Sequence, residues 1–298
     1  MKISHLLEYS VFSTIAFFAQ RLPLRWVRAI GGWLGKKVFS VVGYRREITL
    51  ENLRHAFPEK SDAGLLEIAA ATFRSIGITF FEILWTPNLT REKLLAEVHF
   101  ENAAGVREIQ AKGRGVVLLT GHLGNWEWFA HSVCVSTGIP LHVIAKGQAN
   151  PFVDRFINRL RAKFGNKVVP MSSSVRETLR ALNEGGVVGI VGDQSAAKES
   201  VWVDFFGRSV PTHQGPAVFS LKTGAPILIG FSIRQPDGNY RAHIREVPME
   251  GLNGYTQENV KELTQRNVRM MEEIIRRDPS QWMWMHRRWK HACPTQAG

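Results

Sequence analysis

From Gly105 onward the chain repeats one texture. Short apolar runs fall at residues 116–120, 141–145, 168–170, 187–191 and 227–233, most of them separated by helical stretches such as 151–164, 175–183 and 215–222. Apolar runs of strand length without polar alternation belong in a sheet buried on both faces, and the intervening helices supply the crossovers that parallel strands need. The expected fold class is therefore α/β, with a mixed, largely parallel sheet covered by helices. Residues 240–247 alternate polar and apolar and follow the turn-forming stretch 235–239, which predicts an antiparallel edge strand closing a hairpin. Upstream, 47–56 and 62–84 read as helices, capped at Ser61 or Asp62 and punctuated by Pro58 and Pro87; 258–277 is a long helix. With no repeat or linker in view, residues 46–298 are expected to form a single domain.

The first 45 residues have a different character. Between Leu6 and Leu24 the only charges are Glu8 and Arg21, over about the length that crosses a bilayer core at ~1.5 Å per residue. Ser10, Ser13, Thr14 and Gln20 dilute its hydropathy, and Lys2 with no small-x-small site argues against a cleaved signal peptide. A second apolar segment, 26–42, is interrupted by Arg28, Lys36 and Lys37. Trp26, Trp33 and Tyr44 stand beside Arg25, Arg28, Arg45 and Arg46 in the manner of interfacial anchors. Residues 1–45 thus read as a membrane anchor or interfacial helices, the alternative being two amphipathic core helices. The basic residues after the first segment favour a catalytic body on the cytoplasmic side.

A formal net charge of +12 suits nucleic acid, anionic lipid or an acidic protein. No zinc knuckle, RNP pattern or basic zipper is present, so nucleic acid is not an expected partner. Cys134 and Cys293 are the only cysteines and show no CxxC or Cys/His spacing, which disfavours a disulfide framework or structural zinc and fits a reducing compartment.

Chemistry concentrates in Gly115–Trp128. A buried strand ends at Thr120, Gly121 and Gly124 allow a tight turn, and a helix begins near Asn125, which is a candidate both for its cap and for substrate binding. Ligand sites of open parallel sheets lie beyond the carboxyl ends of the strands, where His122 falls. Side chains five apart on a continuous helix are about 140° out of phase, so His122 is expected in the turn, folded back onto Glu127. A histidine paired with a carboxylate is a general base: the carboxylate sets the tautomer and stabilises the imidazolium. There is no G-x-S-x-G elbow, H-E-x-x-H or phosphate-binding loop, and Gly113-Arg-Gly115 precedes the strand instead of following it. No metal, nucleotide or nicotinamide cofactor is expected.

His-Leu-Gly-Asn-Trp-Glu at 122–127 resembles the H-x-x-x-x-[DE] box of the lipid A biosynthesis (lauroyl/myristoyl) acyltransferases, within the lysophospholipid acyltransferase superfamily. Similar blocks follow through nearly the whole chain: Asn-Leu-Arg-His-Ala-Phe-Pro-Glu at 52–59, Asn150-Pro151 with Arg161, Gly192-Asp193-Gln194, Phe205-Phe206-Gly207, and Trp-Met-His-Arg-Arg-Trp-Lys at 284–290. The resemblance implies a glycerolphosphate acyltransferase-like fold with membrane-associated N-terminal helices. It implies an acyl-acyl-carrier-protein or acyl-coenzyme A donor, a glycolipid acceptor, and the inner face of the bacterial inner membrane. Under it, His122 is the base and Glu127 its partner.

Further roles are expected around that pair. Arg161 is the candidate cation for an oxyanion or a phosphate, since a guanidinium forks onto either. Arg159 is the second candidate, although two residues earlier on a helix it faces elsewhere. Asp193 and Gln194 follow a buried strand and should share the rim with His122, Asp193 pairing with Arg161 or with substrate, or capping its loop. Phe205-Phe206 line an acyl groove or belong to the core. Arg287, Arg288 and Lys290, interleaved with Trp282, Trp284 and Trp289, suit a membrane surface or an acidic carrier protein. Open alternatives are a lysophospholipid or mannoside acyltransferase, a hydrolase using the same base, and a basic peripheral protein that binds membrane lipid without chemistry.

Overall fold

The computed structural model describes residues 3–101, 103–111, 113–196 and 200–291; Cys293 lies outside them. Helix α1 (Ile3–Ala19) and helix α2 (Leu24–Lys37) come first, the latter running into a π-helical turn at Val38–Val42. Next come α3 (Arg46–Ala56), α4 (Asp62–Trp85) and α5 (Arg91–Glu97). Strands and helices then alternate: β1 (Val98–Phe100), α6 (Ala103–Ala111), β2 (Val116–Thr120), α7 (Trp126–Thr137), β3 (Leu141–Ala145), α8 (Pro151–Arg161), β4 (Lys167–Pro170), α9 (Ser174–Asn183) and β5 (Val187–Val191). The chain continues through β6 (Ser200–Phe205), β7 (Arg208–His213), α10 (Gly215–Thr223), β8 (Ile227–Arg234), β9 (Tyr240–Glu246) and α11 (Gln257–Arg277).

Seven strands form one sheet in the order β1-β9-β8-β2-β5-β3-β4. Every neighbouring pair is parallel except β8 and β9, so the sheet is mixed and largely parallel, as expected. All of β2 is buried, which is why its sequence shows no alternation. One apolar core lies on each face: the first joins α3, α4, α10, α11 and the C-terminal tryptophans, the second joins α5 and α7 with Val27 of α2. Two expectations change here. Strand β9 pairs with β8 as predicted but is not at the edge, because β1 adds beyond it, Val98 opposite Tyr240. The short hairpin β6–β7 stands as a separate two-stranded sheet, turning through Phe206 and Gly207, both with positive φ.

Helix α4 starts on Ser61, whose hydroxyl accepts from the Gly64 amide. It is long and apolar enough to cross a bilayer, yet half of its apolar window is buried within the protein, as befits a core helix. Helix α2 lies directly on it, and glycines make this possible: an added Cβ on Gly35 would sit 2.1 Å from the Phe73 carbonyl oxygen, and one on Gly77 would sit 2.2 Å from that of Gly31. Outward, α1, α2 and the turn after them expose Ile3, Leu7, Val11, Phe18, Trp26, Trp33, Val41, Val42 and Tyr44.

The C-terminal segment corrects another expectation. Trp282, Trp284, Trp289 and Arg288 are buried. The tryptophans pack with Phe205 and Phe206, the Trp284 and Trp289 rings stacking at 7°. Arg288 donates to the Pro211 carbonyl at 3.0 Å. Arg287 and Lys290 alone of the basic set are exposed, while Arg288 and the tryptophans are core, and the two phenylalanines are core as well.

Candidate active site

Strands β2 and β5 are parallel neighbours with Thr120 opposite Val191. His122 and Asp193 therefore each stand two residues past a paired strand end, on the same rim. Gly121 keeps that space open, since an added Cβ would lie 3.1 Å from the Asp193 Cβ. Gly124 turns the chain with φ +60°, and a Cβ there would meet the Ser232 carbonyl oxygen at 1.8 Å; only glycine fits. Asn125 then caps α7, its side-chain oxygen accepting from the Trp128 amide at 3.0 Å, as predicted.

The carboxylate on the imidazole is Asp193. Its Oδ1 lies 2.8 Å from His122 Nδ1, and its Oδ2 accepts from the His122 backbone amide at 2.7 Å and from Trp282 Nε1 at 2.9 Å. Glu127, expected in that position, instead accepts from Arg161, from Nη2 at 2.8 Å and from Nε at 3.0 Å. The reason is local: Glu127 lies in the first turn of α7, facing the C-terminal end of α8, whereas the imidazole Nδ1 faces the end of β5. The expected Asp193–Arg161 pair is accordingly not made.

Of the remaining predicted residues, Arg161 and Gln194 border this centre, and Arg159 and Asn125 do not take up the substrate-binding place expected of them. Arg161 reaches Asn158 Oδ1 through Nη1 at 3.3 Å, and Gln194 Nε2 lies 3.5 Å from His122 Nδ1. Arg159 is exposed on α8. Asn125 is fully buried and acts as a cap away from solvent. Three residues of the centre were missed: Trp282, which holds Asp193; Trp126, whose ring lies 4.8 Å from the imidazole; and His286, whose Nε2 accepts from the Ser195 amide at 3.1 Å. Only the run of tryptophans near the C-terminus marked any of them, and that run read as surface.

Electrostatics follow the geometry. Burial alone would pull the His122 pKa down, but the charge and hydrogen bond of Asp193, aided by the charge of Glu127 and opposed by Arg161, raise it above the ordinary histidine value. Burial pushes Asp193 the other way, yet the neighbouring imidazole and the bonds from His122 and Trp282 lower its pKa to about 2. Asp193 is thus ionised and occupies Nδ1. Nε2 makes no hydrogen bond among the described residues, and the histidine side chain keeps 20% exposure. The other imidazoles nearby are poor bases: burial pushes His131 down to about 4 and lowers His286. Cys134 is buried against the Phe164 carbonyl at 3.2 Å, and burial raises its thiol pKa, which suits packing and not nucleophilic attack.

Comparison with known proteins matches the chain to a group. A family model described as "Bacterial lipid A biosynthesis acyltransferase" matches residues 1–291. The lipid A biosynthesis palmitoleoyltransferase of Escherichia coli K12 is 26% identical over 275 residues, covering 91% of this chain and 87% of the relative. The lipid A biosynthesis lauroyltransferase of the same organism is 25% identical over 284 residues, 93% of this chain and 89% of that protein. A phosphatidylinositol mannoside acyltransferase of Mycobacterium tuberculosis H37Rv is 27% identical over 168 residues, 54% of this chain and 52% of the relative.

Proposed function

The chain belongs to the bacterial lipid A biosynthesis acyltransferase family, and from that premise we propose that it moves a fatty acyl group from an acyl-carrier-protein thioester to a hydroxyl of a lipid A precursor, with His122 as general base. One observation carries the mechanism: an imidazole on a strand-end rim whose Nδ1 is engaged by ionised Asp193 while Nε2 is unbonded among the described residues. Such an imidazole carries its proton on Nδ1 and offers Nε2 as the acceptor, at raised basicity.

In the proposed reaction the acceptor hydroxyl gives its proton to His122 Nε2 as its oxygen adds to the thioester carbonyl. The tetrahedral oxyanion collapses, the carbon–sulfur bond breaks, and the imidazolium returns the proton to the departing thiolate. Glu127 contributes charge beside the imidazole and holds Arg161, whose guanidinium supplies positive charge for the oxyanion or for an acceptor phosphate. Gln194 borders the same space. With the buried Cys134 unsuited to attack, transfer is direct, without an acyl-enzyme. Acyl-coenzyme A is the alternative donor.

The apolar residues exposed along α1 and α2, with Trp26, Trp33 and Tyr44 among basic side chains, support attachment to a lipid surface. The family and the basic charge fit the cytoplasmic face of the bacterial inner membrane, where an acidic carrier protein approaches a cationic enzyme favourably. Similarity to a mannoside acyltransferase gives a second reading that differs only in the acceptor.

The test is incubation of the vesicle-reconstituted protein with carrier protein charged with several acyl lengths and a lipid A precursor, read by mass spectrometry. The expected product is the glycolipid heavier by one acyl chain. Transfer to a phosphatidylinositol mannoside in its place favours the second reading. Free fatty acid alone would mark a hydrolase, and lipid binding without turnover would refute catalysis.

A further inference from the structure

Glu82 is an acid on an otherwise apolar stretch of α4, and its side chain has no solvent exposure. Burying a carboxylate is costly unless donors saturate it. Four donors from four elements do so. Arg28 Nε of α2 donates to Oε1 at 2.6 Å. Oε2 accepts from Tyr240 Oη of β9 at 2.5 Å, from Asn125 Nδ2 at 3.0 Å and from Arg234 Nη2 of β8 at 3.2 Å. A carboxylate oxygen has about two lone-pair directions, so Oε2 is fully subscribed.

The bond to Asn125 links this cluster to the active-site turn. An asparagine amide can cap a helix only with its oxygen toward the helix, and a flipped amide would set its NH2 against the Trp128 N–H. Glu82, able only to accept when ionised, pins Nδ2 on its side and thereby Oδ1 on the Trp128 amide. One turn earlier on α4, Thr79 Oγ1 donates to the Gly124 carbonyl at 3.0 Å and accepts from Arg234 Nη2 at 2.9 Å. Two successive residues of the turn that carries His122 and leads to Glu127 are therefore held from one face of α4. Across the turn, the Gly124 amide donates to the Gln281 carbonyl at 3.1 Å and the Asn125 amide to that of Ser232 at 3.3 Å.

We infer that Glu82 is a positioning residue for acyl transfer: by orienting Asn125 it sets where α7 begins, and so the spacing between the His122 imidazole and the Glu127–Arg161 pair. The inference rests on the reading of His122 as base given above. A displacement of about 1 Å at a reacting group is enough to cost up to ~100-fold in rate.

The experiment is a kinetic comparison of wild type, Glu82→Gln, Asn125→Asp and the double variant Glu82→Gln/Asn125→Asp, with melting temperatures recorded alongside. In Asn125→Asp a second carboxylate faces Glu82 in place of the donor, so kcat is expected to fall about 10- to 100-fold while KM changes less than about twofold; in Glu82→Gln the new amide oxygen takes the three-donor position of Oε2 and still accepts from the residue 125 amide, so the loss is smaller. In the double variant the polarity of the bond is reversed: an aspartate still caps Trp128 with one oxygen and accepts from the new amide with the other. Recovery of kcat to within about fivefold of wild type is expected. Should Asn125→Asp fail to fold, Asn125→Ser keeps a capping oxygen while removing the bond to Glu82, and the same loss of kcat at constant KM is expected. Wild-type kcat in a folded Asn125→Asp or Asn125→Ser protein, or loss without recovery in a folded double variant, would overturn the positioning role. If wild type itself transfers no acyl group, it is the reading of the active site that fails.

Discussion

Replacing Asp193 by asparagine keeps the shape of the side chain and changes what one of its atoms can do. In the native protein Oδ2 receives two N–H donors, the His122 amide and Trp282 Nε1, and Oδ1 receives the imidazole. Asparagine has one oxygen, and the site with two donors claims it. The NH2 then faces His122 Nδ1, which must become an acceptor, and the imidazole proton moves to Nε2. That tautomer has no lone pair for the acceptor hydroxyl. An aligned general base contributes about 10²–10⁴ in rate, and kcat should fall by about that factor. Stability falls too: lowering the Asp193 pKa from 3.8 to about 2 corresponds to roughly 2 kcal/mol at neutral pH. For a depressed carboxylate this contribution is present above its unfolded pKa and is lost as pH falls through about 2. Seen from His122, whose pKa is raised, the same pairing is fully present below the unfolded histidine value and lost as pH climbs through the folded one. The assays are initial rates of glycolipid acylation, thermal melts, and 15N NMR of the His122 ring. The reasoning fails if Asp193→Asn keeps kcat within about threefold, or if its imidazole still carries the proton on Nδ1.

Further outcomes follow from the same geometry. The acid limb of the wild-type kcat profile should lie above the ordinary histidine value, because Asp193 and Glu127 outweigh burial at His122; Glu127→Gln should move it to lower pH, and an unmoved limb would remove Glu127 from the electrostatics. That variant also frees Arg161 and should lower kcat by about 10-fold or more without a comparable loss of stability, read by turnover and melting. Gly124→Ala places a methyl against the Ser232 carbonyl in a left-handed conformation, and should destabilise the fold by about 3 kcal/mol or more, measured by denaturant unfolding. Val11→Glu with Phe18→Glu puts charge on the exposed face of α1 and should abolish co-flotation with anionic vesicles while leaving the melting temperature near wild type; retained flotation would contradict the lipid-facing assignment.

How far the sequence could be read depended on what kind of signal each element leaves. Strands β2 and β5 were visible to the residue because parallel strands in the interior of a sheet show as apolar runs, and β3 had the expected bounds although His142 interrupts it and only Leu141 is buried. Strand β1 was not, since three residues at the end of a helix leave no period to detect. The β6–β7 hairpin was hidden because Phe206 occupies a left-handed position usually marked by glycine or asparagine. At the active site, His122 was legible from the strand, the glycines and the turn. Asp193 was assigned to the right rim but to other partners, because its contact with His122 spans 71 positions along the chain and exists only through the β2–β5 register. Glu127 was paired with His122 on the spacing of the H-x-x-x-x-[DE] box, and that spacing does not fix which carboxylate reaches Nδ1 across the turn. The C-terminal tryptophans show the converse: cations among aromatics resemble an interface, and only the packing around Phe205 and Phe206 makes them core.

The most direct measurement is a single-turnover reaction of radiolabelled acyl-carrier protein with wild type and His122→Ala, in the presence and absence of the glycolipid acceptor, following label on protein and lipid together. Direct transfer through His122 predicts label passing to lipid without ever residing covalently on the wild-type chain, and a loss of several orders of magnitude in a folded His122→Ala protein. Label trapped on the protein without acceptor, or transfer by His122→Ala near the wild-type rate, would contradict it.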